Sequence, residues 1–233
     1  MSPDRESDAS DAPQRRAFLG GEGDAWEARN RTSEGLDSAL IARLAQHLEP
    51  GDRVLEIGCG SGQNLRALDL HVPGLICHGI DPSTEAIATA SEAAPHQRLA
   101  VGASDELPFN NAQFRLVLFG FCLYLCDRSL LHKTVAEADR VLEDGRSGRA
   151  GVLAIVDFDP NHPHRRAYHH REGIWSYKMD YSGLFLANPT YRLSDKIPFS
   201  HAERPPTWTG DPNERVAMWI LRKDSLNGFP ERE

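Results

Sequence analysis

Residues 54–57 are a short apolar run, Val-Leu-Glu-Ile, that ends directly in Gly58-Cys59-Gly60-Ser61-Gly62. Three glycines at alternate positions let a backbone turn sharply and approach a ligand that a Cβ would exclude. Leu65 and Leu68 then begin a helical spacing, so the segment reads as strand, tight loop, helix. The same alternation follows. Residues 75–80 form a second run ending at Asp81-Pro82, with Ser83 as the cap of a helix through about Ala94. Residues 98–101 supply a third strand, and 114–119 a fourth whose continuous hydrophobicity suits burial on both faces of a parallel sheet. Leu131, Val135, Ala138 and Leu142 share one helix face that stops at Glu143-Asp144-Gly145, and 152–158 give a fifth strand. Residues 191–199 and 215–223 alternate as antiparallel strands at the sheet edge. The expected fold is therefore α/β, a doubly wound, mostly parallel seven-stranded sheet with an antiparallel edge.

Residues 1–17 contain no aromatic or branched aliphatic side chain, and they read as a disordered tail. The rest, 18–233, reads as one domain with four parts. Residues 18–50 form an amino-terminal lid and helix, 51–158 the sheet core, 159–190 an insertion beside the substrate, and 191–233 the edge strands and tail. Leu36, Leu40, Ile41, Leu44 and Leu48 place an amphipathic helix in the first part, capped at Thr32 or Ser33 and stopped by Pro50-Gly51.

Composition removes several classes of function. Hydrophobic residues at 40% and charged residues at 26% are ordinary for a globular chain, so global disorder is excluded. The formal charge of −8 draws no polyphosphate, and nucleic acid is not an expected partner. No run approaches the roughly 18 apolar residues of a spanning helix, and Asp4, Glu6, Asp8 and Asp11 stand where a signal peptide would be apolar. Four cysteines without a CxxC pair point to a reducing, cytoplasmic compartment and to no metal site.

In an open α/β sheet the ligand lies at the carboxyl ends of the strands, where the strand order reverses. The glycine loop sits at one such end and Asp81 at the next, where a carboxylate accepts both hydroxyls of a ribose. Together they specify a nucleoside. A dinucleotide fold places a third glycine where this chain has Gln63, and Glu56 at the strand end would repel a pyrophosphate. A cationic nucleoside fits better.

The ordered set VLEIGCGSG at 54–62, GIDPSTEAI at 79–87, GASDELPF at 102–109, FRLVLFGFCLYLCD at 114–127 and ADRVLEDGRSGRAGVLAIVDF at 138–158 resembles the class I S-adenosylmethionine-dependent methyltransferases. The resemblance spans about residues 33–158 and implies their Rossmann-like sheet, with S-adenosylmethionine as cofactor. It implies that Glu56, Gly58, Cys59, Gly60, Gly62 and Asn64 surround the methionine part, that Asp81 holds the ribose, and that Pro82 and Ser83 border adenine. Phe119 and Gly120 complete the cofactor set. Where many members carry an acid for the adenine amino group this chain has Ala103. The Ser104 N–H is then left to reach the ring, with Asp105 as a replacement acceptor.

Methyl transfer is an in-line displacement, so alignment matters most and a base serves only hydroxyl acceptors. The expected reaction is methylation of an oxygen or nitrogen of a small, sugar-like or carboxylated metabolite. Trp26, Arg31, Phe121, Tyr177 and Tyr181 are the candidate acceptor-side residues, with Arg29 as another carboxylate partner. His169, His170 and Tyr124 are the candidate catalytic residues, the histidines because PNHPHRRAYHHR at 160–171 is rich in imidazole and guanidinium. The alternatives are a nicotinamide-dependent reductase on a related sheet, and a methyltransferase-like protein that binds cofactor or a partner without turnover.

Overall fold

The computed structural model describes residues 12–32, 34–200 and 215–225. Strands β1 (Arg53–Ile57), β2 (Ile76–Asp81), β3 (Arg98–Val101), β4 (Leu116–Gly120) and β5 (Gly151–Phe158) are parallel. Further along the chain, β8 (Tyr191–Ser200) and β9 (Arg215–Lys223) join them in the order β3-β2-β1-β4-β5-β9-β8, with β9 antiparallel to both neighbours. This is the expected seven-stranded sheet. The order reverses between β1 and β4, which opens a crevice at their carboxyl ends.

Side chains of each strand alternate between two cores. Val54, Leu116, Leu118 and Val152 meet α3 (Ser38–Ala45) and α4 (Gln63–His71) on one face, through Leu40, Ile41, Leu44, Leu65 and Leu68. Leu55, Ile57, Val117 and Phe119 meet α6 (Leu131–Val141) and α7 (Gly183–Leu186) on the other, through Leu131, Val141 and Phe185. Between β2 and β3, α5 (Thr84–Ala93) starts at a capping Ser83 whose Oγ accepts from the Ala86 N–H at 3.0 Å.

Three segments differ from the sequence reading. Helix α3 is capped by Asp37, whose Oδ1 accepts from Ala39 N at 2.8 Å, rather than by Thr32 or Ser33; Ser33 itself lies outside the described residues. The reason is Asn64, whose Oδ1 takes the Leu36 N–H at 2.7 Å and leaves room only for glycine at position 35. The expected tail overlaps structure, because α1 (Pro13–Ala17) is helical with Gln14 and Ala17 buried, while residues 1–11 lie outside the described set. It leads through a π-helical turn kinked at Gly20 and Gly21 into α2 (Gly23–Asn30). Residues 159–190 contain a separate antiparallel ribbon of β6 (His164–Ala167) and β7 (Trp175–Lys178). Among the described residues no helix is long and apolar enough to cross a membrane.

Candidate active site

The loop after β1 is built from left-handed glycines, with φ of +75°, +49° and +75° at Gly58, Gly60 and Gly62. A Cβ at Gly58 would also stand 2.7 Å from that of Cys122. Asp81 ties this loop to the one after β2: its two oxygens accept from Gly60 N and Ser83 N, each at 2.8 Å. Burial pushes its carboxyl up to about 6 against those bonds.

Glu56 forms the floor. It is 1% exposed, Asn64 Nδ2 donates to its Oε1 at 2.6 Å, and its Oε2 has no hydrogen-bond partner among the described residues. Burial raises its carboxyl to about 8. Gly120 closes over it, since a Cβ there would lie 2.8 Å from Glu56 Oε1.

The roof comes from the amino-terminal helices. Asp127 accepts from Gln14 N at 3.1 Å and Arg15 N at 2.7 Å, while Arg15 Nε donates to Asp105 at 2.9 Å. Asp24 accepts from Ser83 Oγ at 2.7 Å and Glu85 N at 3.0 Å, which seats the start of α2 on the loop after β2. At the far end of α2, Arg29 donates to Glu22 at 2.5 Å and to the Tyr168 hydroxyl at 2.8 Å, and that hydroxyl donates to Glu22 at 3.0 Å. Tyr168 follows β6, so the ribbon and the roof interlock.

Two cavities meet beneath this roof. One is a mostly apolar slot between Ile80, Asp81, Pro82, Ala103, Ser104, Cys126 and Thr134, covered by Arg15, Phe18 and Leu19. The other, about 630 Å³, is lined by Glu27, Asn30, Glu56, Gly60, Asn64, Tyr124, Phe158 and Phe199. Trp26, Gly58, Gly120 and Phe121 border both. Phe121 holds φ of +54°, a strained value for a side chain with a Cβ, at this junction.

Of the expected cofactor residues, Glu56, Gly58, Cys59, Gly60, Asn64, Asp81, Pro82, Ala103, Ser104 and Gly120 line one cavity or the other. Gly62, Ser83 and Phe119 do not. Gly62 starts α4, Ser83 is spent as cap and as donor to Asp24, and Phe119 packs beside Phe185 in the core. Asp105 also lines the slot, with its two oxygens paired to Arg15 at 2.9 Å and Lys133 at 3.3 Å.

On the acceptor side, Trp26, Phe121 and Tyr124 line the cavities, and the remaining candidates lie outside both linings. His169 and His170 are exposed on the turn between β6 and β7, outside both linings, because the polar ribbon turns them to solvent. Arg31 pairs with Glu85 at 3.6 Å outside the cavities. Tyr181 is fully buried, donating to Tyr177 O at 2.6 Å and accepting from Arg128 at 3.1 Å, and Arg128 stacks on Tyr177. Through Arg128, which donates to Leu123 O at 2.9 Å and Cys126 O at 2.8 Å, these aromatics are tied to the turn after β4. Arg29 is committed to Glu22 within the roof. Tyr124 accepts a hydrogen bond from the Trp26 side chain, and burial beside Asp157 raises its phenol. Glu27 and Gln14 carry no signal in the sequence, where they are two polar residues in charged stretches. Among the described residues no three His, Cys, Asp or Glu side chains are grouped to hold a metal ion.

Residues 54–145 match the family model of a methyltransferase domain. Over those residues the chain is similar to methyltransferase domains, in line with the likeness that its ordered motifs carry. An uncharacterised methyltransferase of Synechocystis is 30% identical over 149 residues, 63% of this chain and 62% of that protein. The malonyl-[acyl-carrier protein] O-methyltransferase of Herminiimonas arsenicoxydans is 34% identical over 114 residues, 48% of this chain and 42% of that one. The matches thus span less than two thirds of either relative. In fold, the chain resembles the 1,6-didemethyltoxoflavin-N1-methyltransferase of Burkholderia thailandensis, with a TM-score of 0.65, 17% identity, and coverage of 96% of this chain and 92% of that one. The orphan oxygen of Glu56 and the cradle of left-handed glycines fit S-adenosylmethionine, the cofactor of such domains.

Proposed function

We propose that this chain moves a methyl group from S-adenosylmethionine to an oxygen or nitrogen of a small molecule. The observation that carries the reading is the junction at Trp26, Gly58, Gly120 and Phe121, which borders both the mostly apolar slot beside Asp81 and a second, polar and aromatic cavity. The cofactor supplies a methyl bound to a positively charged sulfur. In this reading Asp81 accepts from the ribose, Pro82, Ala103 and Ser104 border the adenine, and Glu56 accepts from the ammonium of the methionine part. Trp26 and Phe121 exclude water from the junction, which favours displacement by a held nucleophile.

The second cavity narrows the acceptor class. Among its described lining residues are the carboxylates Glu27, Glu34, Asp37 and Glu56 and no lysine, arginine or histidine. A neutral hydroxylated or amine-bearing acceptor is favoured over the carboxylated one the sequence suggested, because no cationic side chain among those residues would pair with an acceptor carboxylate. The O- and N-methyltransferases among the similar proteins leave both acceptor atoms open. Isothermal titration tests the reading: S-adenosylhomocysteine binds in the micromolar range and NADH gives no heat. Absence of S-adenosylhomocysteine binding sinks it.

A further inference from the structure

Glu27 lies on α2, one residue after Trp26, and is 4% exposed. Among the described residues its Oε1 has no hydrogen-bond partner, and its side chain borders the same cavity as Glu56. Arg31, whose charge acts on Glu27, is engaged by Glu85 at 3.6 Å. A Cβ built on Gly60 would stand 3.9 Å from Glu27 Oε2, so the carboxylate reaches down to the glycine loop. The cavity is therefore bounded by two buried carboxylates, Glu56 from the sheet below and Glu27 from the roof above, each with an oxygen that no group among the described residues satisfies. A carboxylate is buried unpaired only at a cost, and a ligand cation removes that cost. Burial raises the Glu27 carboxyl accordingly.

S-adenosylmethionine carries two positive centres, the α-ammonium and the sulfonium. One carboxylate is available for each. Resting on the methyl-transfer reading above, we propose that Glu27 is a cofactor-recognition residue, brought by the roof helix to the sulfonium so that the closed site prefers S-adenosylmethionine over S-adenosylhomocysteine. Transfer of the methyl group leaves a neutral thioether and an unpaired Glu27, which favours opening of the roof and product release.

Calorimetric titration of the full chain with each ligand, for wild type and Glu27→Gln, tests this. Glu27→Gln keeps the side-chain shape while removing a buried orphan charge, so thermal stability is unchanged or higher. The expected result is a loss of about tenfold in S-adenosylmethionine affinity against less than about twofold for S-adenosylhomocysteine. Glu27→Asp, which keeps the charge on a shorter arm, retains part of the preference. Equal losses for the two ligands assign Glu27 to the ribose or ammonium and overturn the proposal. Unchanged affinities overturn it as well. If wild type binds neither ligand, the methyl-transfer reading itself fails, an outcome distinct from failure of the Glu27 role.

Discussion

Asn64, in the first turn of α4, holds Glu56 of β1 through a 2.6 Å bond from Nδ2 to Oε1 and leaves the second carboxylate oxygen without a hydrogen-bond partner among the described residues. One consequence is a pH-dependent stability of the ligand-free chain. The folded-state carboxyl titrates near 8 against an ordinary value of 4.5, so the folded state holds the proton across that window while the unfolded chain has lost it. Stability therefore falls as pH rises from about 5 to 8, by at most about 1.4 kcal/mol per pH unit for one group. Asp81, near 6, and Asp157, near 7, act in the same direction. Glu56→Gln should flatten the profile of melting temperature against pH in that range. Parallel profiles for the variant and wild type would refute the assignment.

Gly120 is a packing requirement. Alanine there would place a Cβ 2.8 Å from Glu56 Oε1 and 3.4 Å from Asn64 Nδ2, so the pair has to shift. Gly120→Ala should cost about 1–3 kcal/mol of stability, the scale of overpacking a tight site. It should also weaken S-adenosylhomocysteine binding by about tenfold or more, because the displaced carboxylate no longer meets the methionine end. Wild-type affinity in a titration of this variant would separate Gly120 from the cofactor site.

The interlock of roof and ribbon rests on one hydroxyl. Tyr168→Phe removes the donor to Glu22 and the acceptor for Arg29 while keeping the ring beside Phe18 at 6.1 Å. The expected loss is about 1 kcal/mol, confined to the amino-terminal helices. Hydrogen exchange should show faster opening at residues 13–30 and unchanged protection in β1 and β4. Equal acceleration in the central strands would mean that the bond supports the whole fold.

The sheet was legible because its signals are local. The run at 54–62 and the apolar stretches at 75–80, 114–119 and 152–158 each specify a buried strand from their own residues, and the cofactor edge follows from the glycines and Asp81. The roof was not. Pro13–Ala17 buries no large apolar side chain, and its order comes from Asp127 and Asp105, acids more than 85 residues away in sequence. Glu27 likewise sits in a stretch, Glu-Ala-Arg-Asn-Arg, that reads as a solvated helix face until α2 is laid over the glycine loop. The ribbon was missed because His164–Ala167 is polar on both faces, so no alternation marks it as a strand.

That ribbon also decides the place of the histidines. Sequence reasoning made His169 and His170 candidates for a general base, since a hydroxyl acceptor gains roughly 10²- to 10⁴-fold from proton removal during attack. The structure holds both rings exposed on the turn after β6, with His170 packed edge-on to Tyr168 at 5.3 Å, on the outer side of the interlock. A base has to come within hydrogen-bond reach of the proton it removes, and neither ring borders the cavity where an acceptor would lie. His169→Ala should therefore leave kcat, and the affinity for S-adenosylhomocysteine, within about twofold of wild type, as expected for an exposed side chain away from packing or charge networks. His170→Ala should do the same for kcat while loosening the Tyr168 ring enough to show in hydrogen exchange of the ribbon. The measurement is steady-state turnover on any acceptor that the enzyme methylates, followed by release of S-adenosylhomocysteine. A tenfold fall in kcat for either variant, at unchanged cofactor affinity, would mean that the ribbon folds inward during turnover and would restore the histidine to the chemistry.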